Sequence, residues 1–279
     1  MTVQQLEAGW ELHTLPSGGH VAYNDDRHGY YRAVNDGKGV GRLLGVSTAA
    51  KALDLNPDPL ISWGARLDRE GVAALASDCL DCDSIEQARS LLAWLASGES
   101  IGAALDDAGL SWRKRRFDAA SRGTRVHLHA LHALSSGEQV PSFDELPEDE
   151  RGYASAVLKW WLDYQPEVIA AEQVVADLTD GVAGRLDLLC RLKDGRVAIV
   201  DAKTGRYLAA SWVAQLAGYR RLALLSGFEA AEVGVILQVA EDGSYRHVEV
   251  ELSDTQWLTA LATYRLAGEL GRQLKKAAA

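Results

Sequence analysis

The chain has 279 residues, 47% of them hydrophobic, and a formal net charge of −10. That is enough length and apolar content to bury a real core, which excludes a disordered chain, and the acidic balance excludes a protein that coats nucleic acid through general positive charge. No uncharged apolar run approaches the roughly 18 residues of a membrane span, and the opening MTVQQLEAGWELHTL lacks the basic-then-apolar pattern of a secretory signal, so no membrane contact and a cytoplasmic location are expected.

In chain order, residues 20–35 read as a hairpin, with Asn24, Asp25 and Asp26 supplying the turn. Helical segments follow from about Ser47, from Ile61 to Leu75, from Ser84 to Leu95 and from Ile101 to Ala108, each with apolar residues three to four apart and a Ser or Asp near its start. Longer helices are predicted over Gly123 to Leu134 and, after the acidic stretch PSFDELPEDE, over Glu150 to Tyr164. Strands are predicted over Val168 to Val175, Val182 to Leu192 and Val197 to Ala202. A helix from Ala209 to Leu225, strands Glu232 to Val239 and Tyr245 to Val250, and a helix from Asp254 to Leu274 complete the chain. Cys79 and Cys82 form a lone CxxC and Cys190 falls inside a strand, so neither a disulfide framework nor a four-cysteine metal site can be assembled from the three cysteines.

Two stretches stand out by charge. WRKRRFDAASRGTRVH sets Arg113, Lys114, Arg115, Arg116, Arg122 and Arg125 against one acid, Asp118, in an otherwise acidic chain. By itself such a run is most often a solvated helix face. The other is GRLDLLCRLKDGRVAIVDAKTG, two apolar runs around Lys-Asp-Gly that carry Asp187, Asp201 and Lys203. Asp201 and Lys203, two apart, share a strand face. With a three-residue loop and Gly195 left-handed, Leu192 pairs with Arg196 and Asp187 stands opposite Asp201, at the roughly 4.5–5.5 Å between facing Cα atoms. Two carboxylates that close need a cation, and a divalent metal is the economical one. A two-residue loop would instead put the aspartates on opposite faces. Asp36-Gly37-Lys38 repeats the Asp-x-Lys spelling without an apolar strand before it, and Pro57-Asp58 has no partner at hairpin distance, so both read as chance matches. His127, His129 and His132 make a poor zinc set on one helix, and His129 and His132 read as helix-surface histidines.

GTRVH at 123–127, AE at 171–172, GRLD at 184–187, DAKTG at 201–205 and QLAGY at 215–219 resemble, in order and spacing, the motifs of the RecB-like, phage-type exonuclease branch of the PD-(D/E)XK nucleases. The resemblance runs from Gly123 to about Val250. It implies that His127, Asp187 and Asp201 bind metal, with the Ala202 carbonyl completing the shell. Lys203 would orient or help deprotonate the attacking water, and Gln215 and Tyr219, one helical turn apart, would line the site. Glu172 would ligate a second ion or support the first. Leu186 stands where the family name has proline. The four cysteines that some relatives place around an iron–sulfur cluster are missing, so no such cluster is expected.

The expected fold is α/β: a restriction-endonuclease-like core, with a mixed central β-sheet flanked by helices, at 111–279, preceded at 1–110 by an N-terminal hairpin and helical elaboration. The expected activity is a Mg2+- or Mn2+-dependent deoxyribonuclease, using one or two ions. Its substrate would be linear duplex or single-stranded DNA in recombination, repair or phage end processing, with a recombination or helicase partner. The basic run before His127 then reads as a phosphate-contacting strip. Hard carboxylate ligands suit those ions, which supply a nucleophile at neutral pH and offset charge on the phosphoryl oxygens. The alternatives are a structure-specific or restriction-type endonuclease and a catalytically silent DNA-binding module.

Overall fold

The computed structural model describes residues 2–5, 9–33, 39–54, 58–80, 84–86, 89–90, 93, 101–137, 145–205 and 207–278. Asp36-Gly37-Lys38, Pro57, Cys82, the side chain of Cys79, half of the Ser84–Leu95 segment and residues 141–144 of the acidic stretch lie outside them. The chain divides into two compact units, Met1–Asp54 with Arg125–Ala279, and Leu55–Thr124. The expected boundary between residues 110 and 111 falls inside the second unit. Among the described residues no helix is long and apolar enough to cross a membrane.

The second unit contains α2 (Asp58–Leu80), α3 (Ile101–Asp107) and most of α4 (Trp112–Val126). Leu75, Ala104 and Leu105 form its buried cluster with Leu110 against it. The start of α4 is capped twice: Asp68 accepts the Trp112 amide at 2.9 Å and Ser111 Oγ the Lys114 amide at 3.2 Å.

The first unit opens with an antiparallel five-stranded sheet, β1 (Thr2–Gln5), β2 (Trp10–Thr14), β3 (His20–Asn24), β4 (Gly29–Ala33) and β5 (Gly39–Arg42), in sequence order. The hairpin expected over residues 20–35 is β3 and β4; the two short strands before it, of four and five residues, were not expected. The short β6 (Leu44–Gly45) and α1 (Val46–Ala50) lead out of this sheet.

The central sheet is mixed and flanked by helices. Its strands are β7 (Glu167–Asp177), β8 (Val182–Arg191), β9 (Val197–Lys203), β10 (Val233–Val239) and β11 (Tyr245–Glu251), joined by β6. β7, β8 and β9 are antiparallel neighbours, β10 runs parallel to β9 after the crossover helix α7 (Ala210–Leu225), and β11 returns antiparallel. One face packs on α6 (Glu148–Tyr164) and on the segment 126–131, burying Trp160, Val157, Leu131, Leu188, Val200 and Leu237. The other packs on α1, α7 and α8 (Asp254–Ala277), burying Leu186, Ile199, Leu216, Leu222 and Trp257. α8 starts from a capping box between Ser253 and Gln256. The start of α7 takes its cap from far away in sequence, Asp54 accepting the Ser211 amide at 3.1 Å.

β8 meets two partners along one edge. The β9 ladder runs from Arg191↔Val197 to Leu188↔Val200, and β6 takes up the same edge at Ala183 and Val182. The stretch from Gly184 to Asp187 lies where one partner leaves and the other enters. Gly184 is small for a reason: an added Cβ would stand 2.8 Å from the Tyr219 ring.

Candidate functional site

The hairpin between β8 and β9 has the three-residue loop. Gly195 is left-handed at φ +91°, its amide donates to Leu192 O at 2.9 Å, and Leu192 N donates to Arg196 O at 2.9 Å. Continuing the Leu188↔Val200 ladder by one step sets Asp187 opposite Asp201. On the other side of β8, Ala171↔Leu188 and Gln173↔Leu186 bracket Glu172 opposite Asp187. Glu172, Asp187 and Asp201 therefore stand abreast on three neighbouring strands.

Backbone strain marks the same level. Glu172 has φ +48°, the left-handed region, inside a strand. Around it the alternation of β7 slips by one: Ala170 faces the α7-side core and Ala171 the α6 side, whereas Val175 faces the α7 side and Val174 and Ala176 the N-terminal sheet. β8 slips with it, Leu186 facing the α7 side and Leu188 the α6 side. The two carboxylates sit at this slip in alternation, while the register shift between β7 and β8 lies earlier, between Val168 and Ala170.

His127 reaches this row from α4. That helix widens to a π-helical segment over His127–His132 before α5 (Ala133–Ser136). The His127 ring lies with Nε2 2.9 Å from Ala202 O and Nδ1 3.3 Å from Asp187 Oδ2, and the same Asp187 oxygen accepts the Ala202 amide at 3.0 Å. Lys203 Nζ stands 2.5 Å from Asp201 Oδ2 and 5.8 Å from the Trp212 ring, while Gln215 donates to Asp201 Oδ1 at 3.0 Å. The Tyr219 hydroxyl meets the Gln215 side chain.

The charges at the site press on one another. Burial opposes charging of His127, but Asp187, with Asp201 behind it, outweighs that and raises the imidazole to about 9. Burial and then the Asp187 charge raise Glu172 to about 7, against His127 and Arg185. Asp187 is held below the usual carboxylate range: burial works against its charge, and the His127 charge and hydrogen bond, Lys203 and the Ala202 amide prevail. Asp201 is raised, by burial first and by Asp187, against the Lys203 charge. Lys203 stays an ammonium because Asp201 and Asp187 overcome its burial. Burial and both aspartates push the Tyr219 phenol well up. Arg185, two residues before Asp187, donates to Glu11 Oε2 at 3.3 Å and lies 5.2 Å from the Tyr23 ring.

His127, Glu172 and Asp187 each offer one ligand atom within 4.8 Å of the others. Two carboxylates and an imidazole, with the Ala202 carbonyl beside them, form a donor set that could hold a divalent metal. Asp201, expected among the ligands, lies outside this group and is engaged by Lys203 and Gln215. Glu172 lies inside it, brought there by a strand pairing that its own short motif did not encode. His129 is not the plain surface histidine expected: its Nδ1 lies 3.0 Å from the buried Glu150 carboxylate. Cys190 is a buried free thiol, pushed up to about 12 by burial.

Of the basic run, Arg113 to Arg122 belong to the second unit and Arg125 to the first. Arg113 lies 3.7 Å from Asp106, Lys114 pairs with Asp118, Arg115 lies 3.4 Å from Glu70, and Arg116 lies 5.8 Å from the Trp112 ring. Arg122 is half-buried, and Arg125 pairs with Glu150.

No family model matches the chain, and no curated protein matches it. Solved structures similar to the chain include the following two. LHK-Exo in complex with dAMP has 12% identity over 56% of this chain and 85% of its own, with a TM-score of 0.33. SSO0001 has 16% identity over 51% of this chain and 74% of its own, with a TM-score of 0.26. Likenesses this slight bear on neither activity nor substrate.

Two outcomes follow from this geometry. Replacing Glu172 by Asn, which tolerates the left-handed region, removes both the strain and a carboxylate from the row. Thermal or denaturant unfolding without added metal should show a gain of about 1 kcal/mol, together with loss of Mn2+ binding; a variant that loses stability contradicts the strain. The second outcome concerns pH. Glu172 and His127 bind their protons more tightly folded than unfolded, so their contribution to stability is present at low pH. It is lost as pH rises from 4.5 through about 7 for Glu172 and from 6.5 through about 9 for His127. A metal ligated by both must displace those protons. The upward shift of Tm on adding Mn2+ should therefore grow between pH 6 and 9; a shift independent of pH there contradicts ligation by His127.

Proposed function

We propose that the chain is a divalent-cation-dependent deoxyribonuclease, an exonuclease acting at DNA ends in recombination, repair or phage DNA processing. The observation that carries this reading is the row Glu172, Asp187 and Asp201, flanked by the cations His127 and Lys203, on a mixed sheet of restriction-endonuclease-like form. The five motifs from Gly123 to Tyr219 support the choice of DNA ends.

In this reading His127, Glu172 and Asp187 would hold the ion, with Asp201 and the Ala202 carbonyl as the neighbouring oxygen donors. The cation, one ion or two, supplies Lewis acidity toward a phosphoryl oxygen and a more acidic water. The protein's own groups do the rest. Lys203 keeps its proton, so it orients the attacking water and offsets charge on the phosphoryl oxygens rather than accepting a proton itself. Asp201 fixes the Lys203 ammonium, and Gln215 fixes the other Asp201 oxygen. Tyr219 keeps its phenol proton and acts as a donor. The imidazole of His127, which lies against Ala202 O, would have to give up a proton to serve as a ligand.

Arg113, Lys114, Arg115, Arg116, Arg122 and Arg125 are proposed DNA contacts. Their density supports this, although Arg113, Lys114, Arg115 and Arg125 already face carboxylates that DNA phosphates would have to replace. A recombination or helicase partner belongs to the same proposal.

Digestion of end-labelled linear duplex, linear single-stranded and closed circular DNA in Mg2+ or Mn2+ tests the reading. Linear DNA should be degraded and circles spared, with Asp201→Ala and Lys203→Ala each at least about 100-fold slower. Cleavage of circles would favour the endonuclease alternative. No cleavage by the wild type under any of these conditions would leave the charged row with a structural or DNA-binding role.

A further inference from the structure

We propose that Glu150 is a positioning residue of the metal centre: its carboxylate clasps Arg125 and His129, two residues before and two after His127, and thereby sets how the helix presents the His127 ring to Asp187.

Glu150 lies in the first turn of α6 and is 1% exposed. A carboxylate so deeply buried is costly unless its oxygens are satisfied. Both are: Oε1 takes Arg125 Nε, and Oε2 lies 3.0 Å from His129 Nδ1. Arg125 and His129 are four apart and so share a side of their helix, while a residue midway between them lies roughly 200° around from each in α-helical geometry. Glu150 thus grips the helix from behind, and His127 projects forward to Ala202 O and Asp187.

The segment needs such a grip. A π-helical turn has weaker intrinsic support than an α-helix and is retained where something specific holds it. This one begins at His127, the residue whose placement matters, and the clasp spans its entry, with Arg125 before it and His129 inside it. The α6 anchor is firm: Tyr153, Val157 and Trp160 of the same helix are core residues. Loss of the charge at Glu150 would free the helix to rotate by a fraction of a turn, enough to carry an imidazole nitrogen away from a site that tolerates errors of only about 0.5 Å.

The proposal rests on the reading of His127 as a metal ligand, and its test separates the two. Mn2+ binding to the full chain is titrated by electron paramagnetic resonance for wild type, Glu150→Gln, His127→Ala and the double variant, with circular dichroism on each. Glu150→Gln should keep its secondary structure and bind Mn2+ about 10–100-fold more weakly, the usual effect of losing a group that orients a ligand. In the His127→Ala background the same substitution should have no further effect. Equal affinity of Glu150→Gln and wild type overturns the clasp, as does an equal loss in both backgrounds, which would mean general damage. Should Glu150→Gln fail to fold, His129→Ala removes half the clasp and should still weaken Mn2+ several-fold; unchanged binding then overturns the proposal. A wild type that binds no Mn2+ overturns the metal reading itself, and the clasp with it.

Discussion

Strand register forces like charges together in this protein, and much of the surrounding structure answers that repulsion. Glu172, Asp187 and Asp201 occupy one level of three adjacent strands, Glu172 within the β7–β8 ladder and Asp201 one step past the last β8–β9 pair, so chain register rather than charge sets where they stand. The response is local and specific. His127 is held as an imidazolium against Asp187, Lys203 as an ammonium against Asp201, and Arg185 lowers the charge felt by Glu172. Even so, burial first and the Asp187 charge second raise Glu172 to about 7, against His127 and Arg185. A divalent ion is the compact way to complete the row.

The architecture makes room for this arrangement. β9 leaves β8 just as β6 joins it, so the level of Asp187 lies where the sheet changes partners. Both β7 and β8 slip their inside–outside alternation at that level, β7 with the left-handed backbone of Glu172. The N-terminal sheet is then part of the same unit rather than an appendage, because it covers the far end of β7 and β8 with Leu15, Val21 and Leu43 and brings Glu11 and Tyr23 to Arg185. Stored strain and gathered charge both cost stability, and such costs persist where geometry serves a function.

The central part of this arrangement was legible in the sequence. Lys-Asp-Gly between two apolar runs favours the turn that Gly195 makes, and that turn alone sets Asp187 against Asp201. The order of helices and strands from Glu150 onward followed from periodicities of 3.6 and 2, and the mixed sheet between helices from the resemblance of the motifs. Other parts were not legible for identifiable reasons. The slip at Glu172 is a backbone torsion on a residue type that rarely adopts it. The pairing of β6 with β8 involves two residues, too few to show a period. The widened turn at His127 lies in a stretch that spells an ordinary helix, and that is why His129 looked like a surface residue. Glu150 reads as one acid among several in a first helical turn, where acids are expected anyway. Its burial depends on Arg125 and His129, and no local pattern carries that.

The central claim is that Glu172, Asp187 and His127 converge on a divalent ion. Anomalous diffraction from crystals of the wild-type protein soaked in Mn2+ tests it most directly. A peak about 2.0–2.2 Å from an oxygen of Asp187, bounded by Glu172 and His127, is the predicted result. Saturating Mn2+ that leaves this position empty, or a peak that excludes Asp187, would contradict the account.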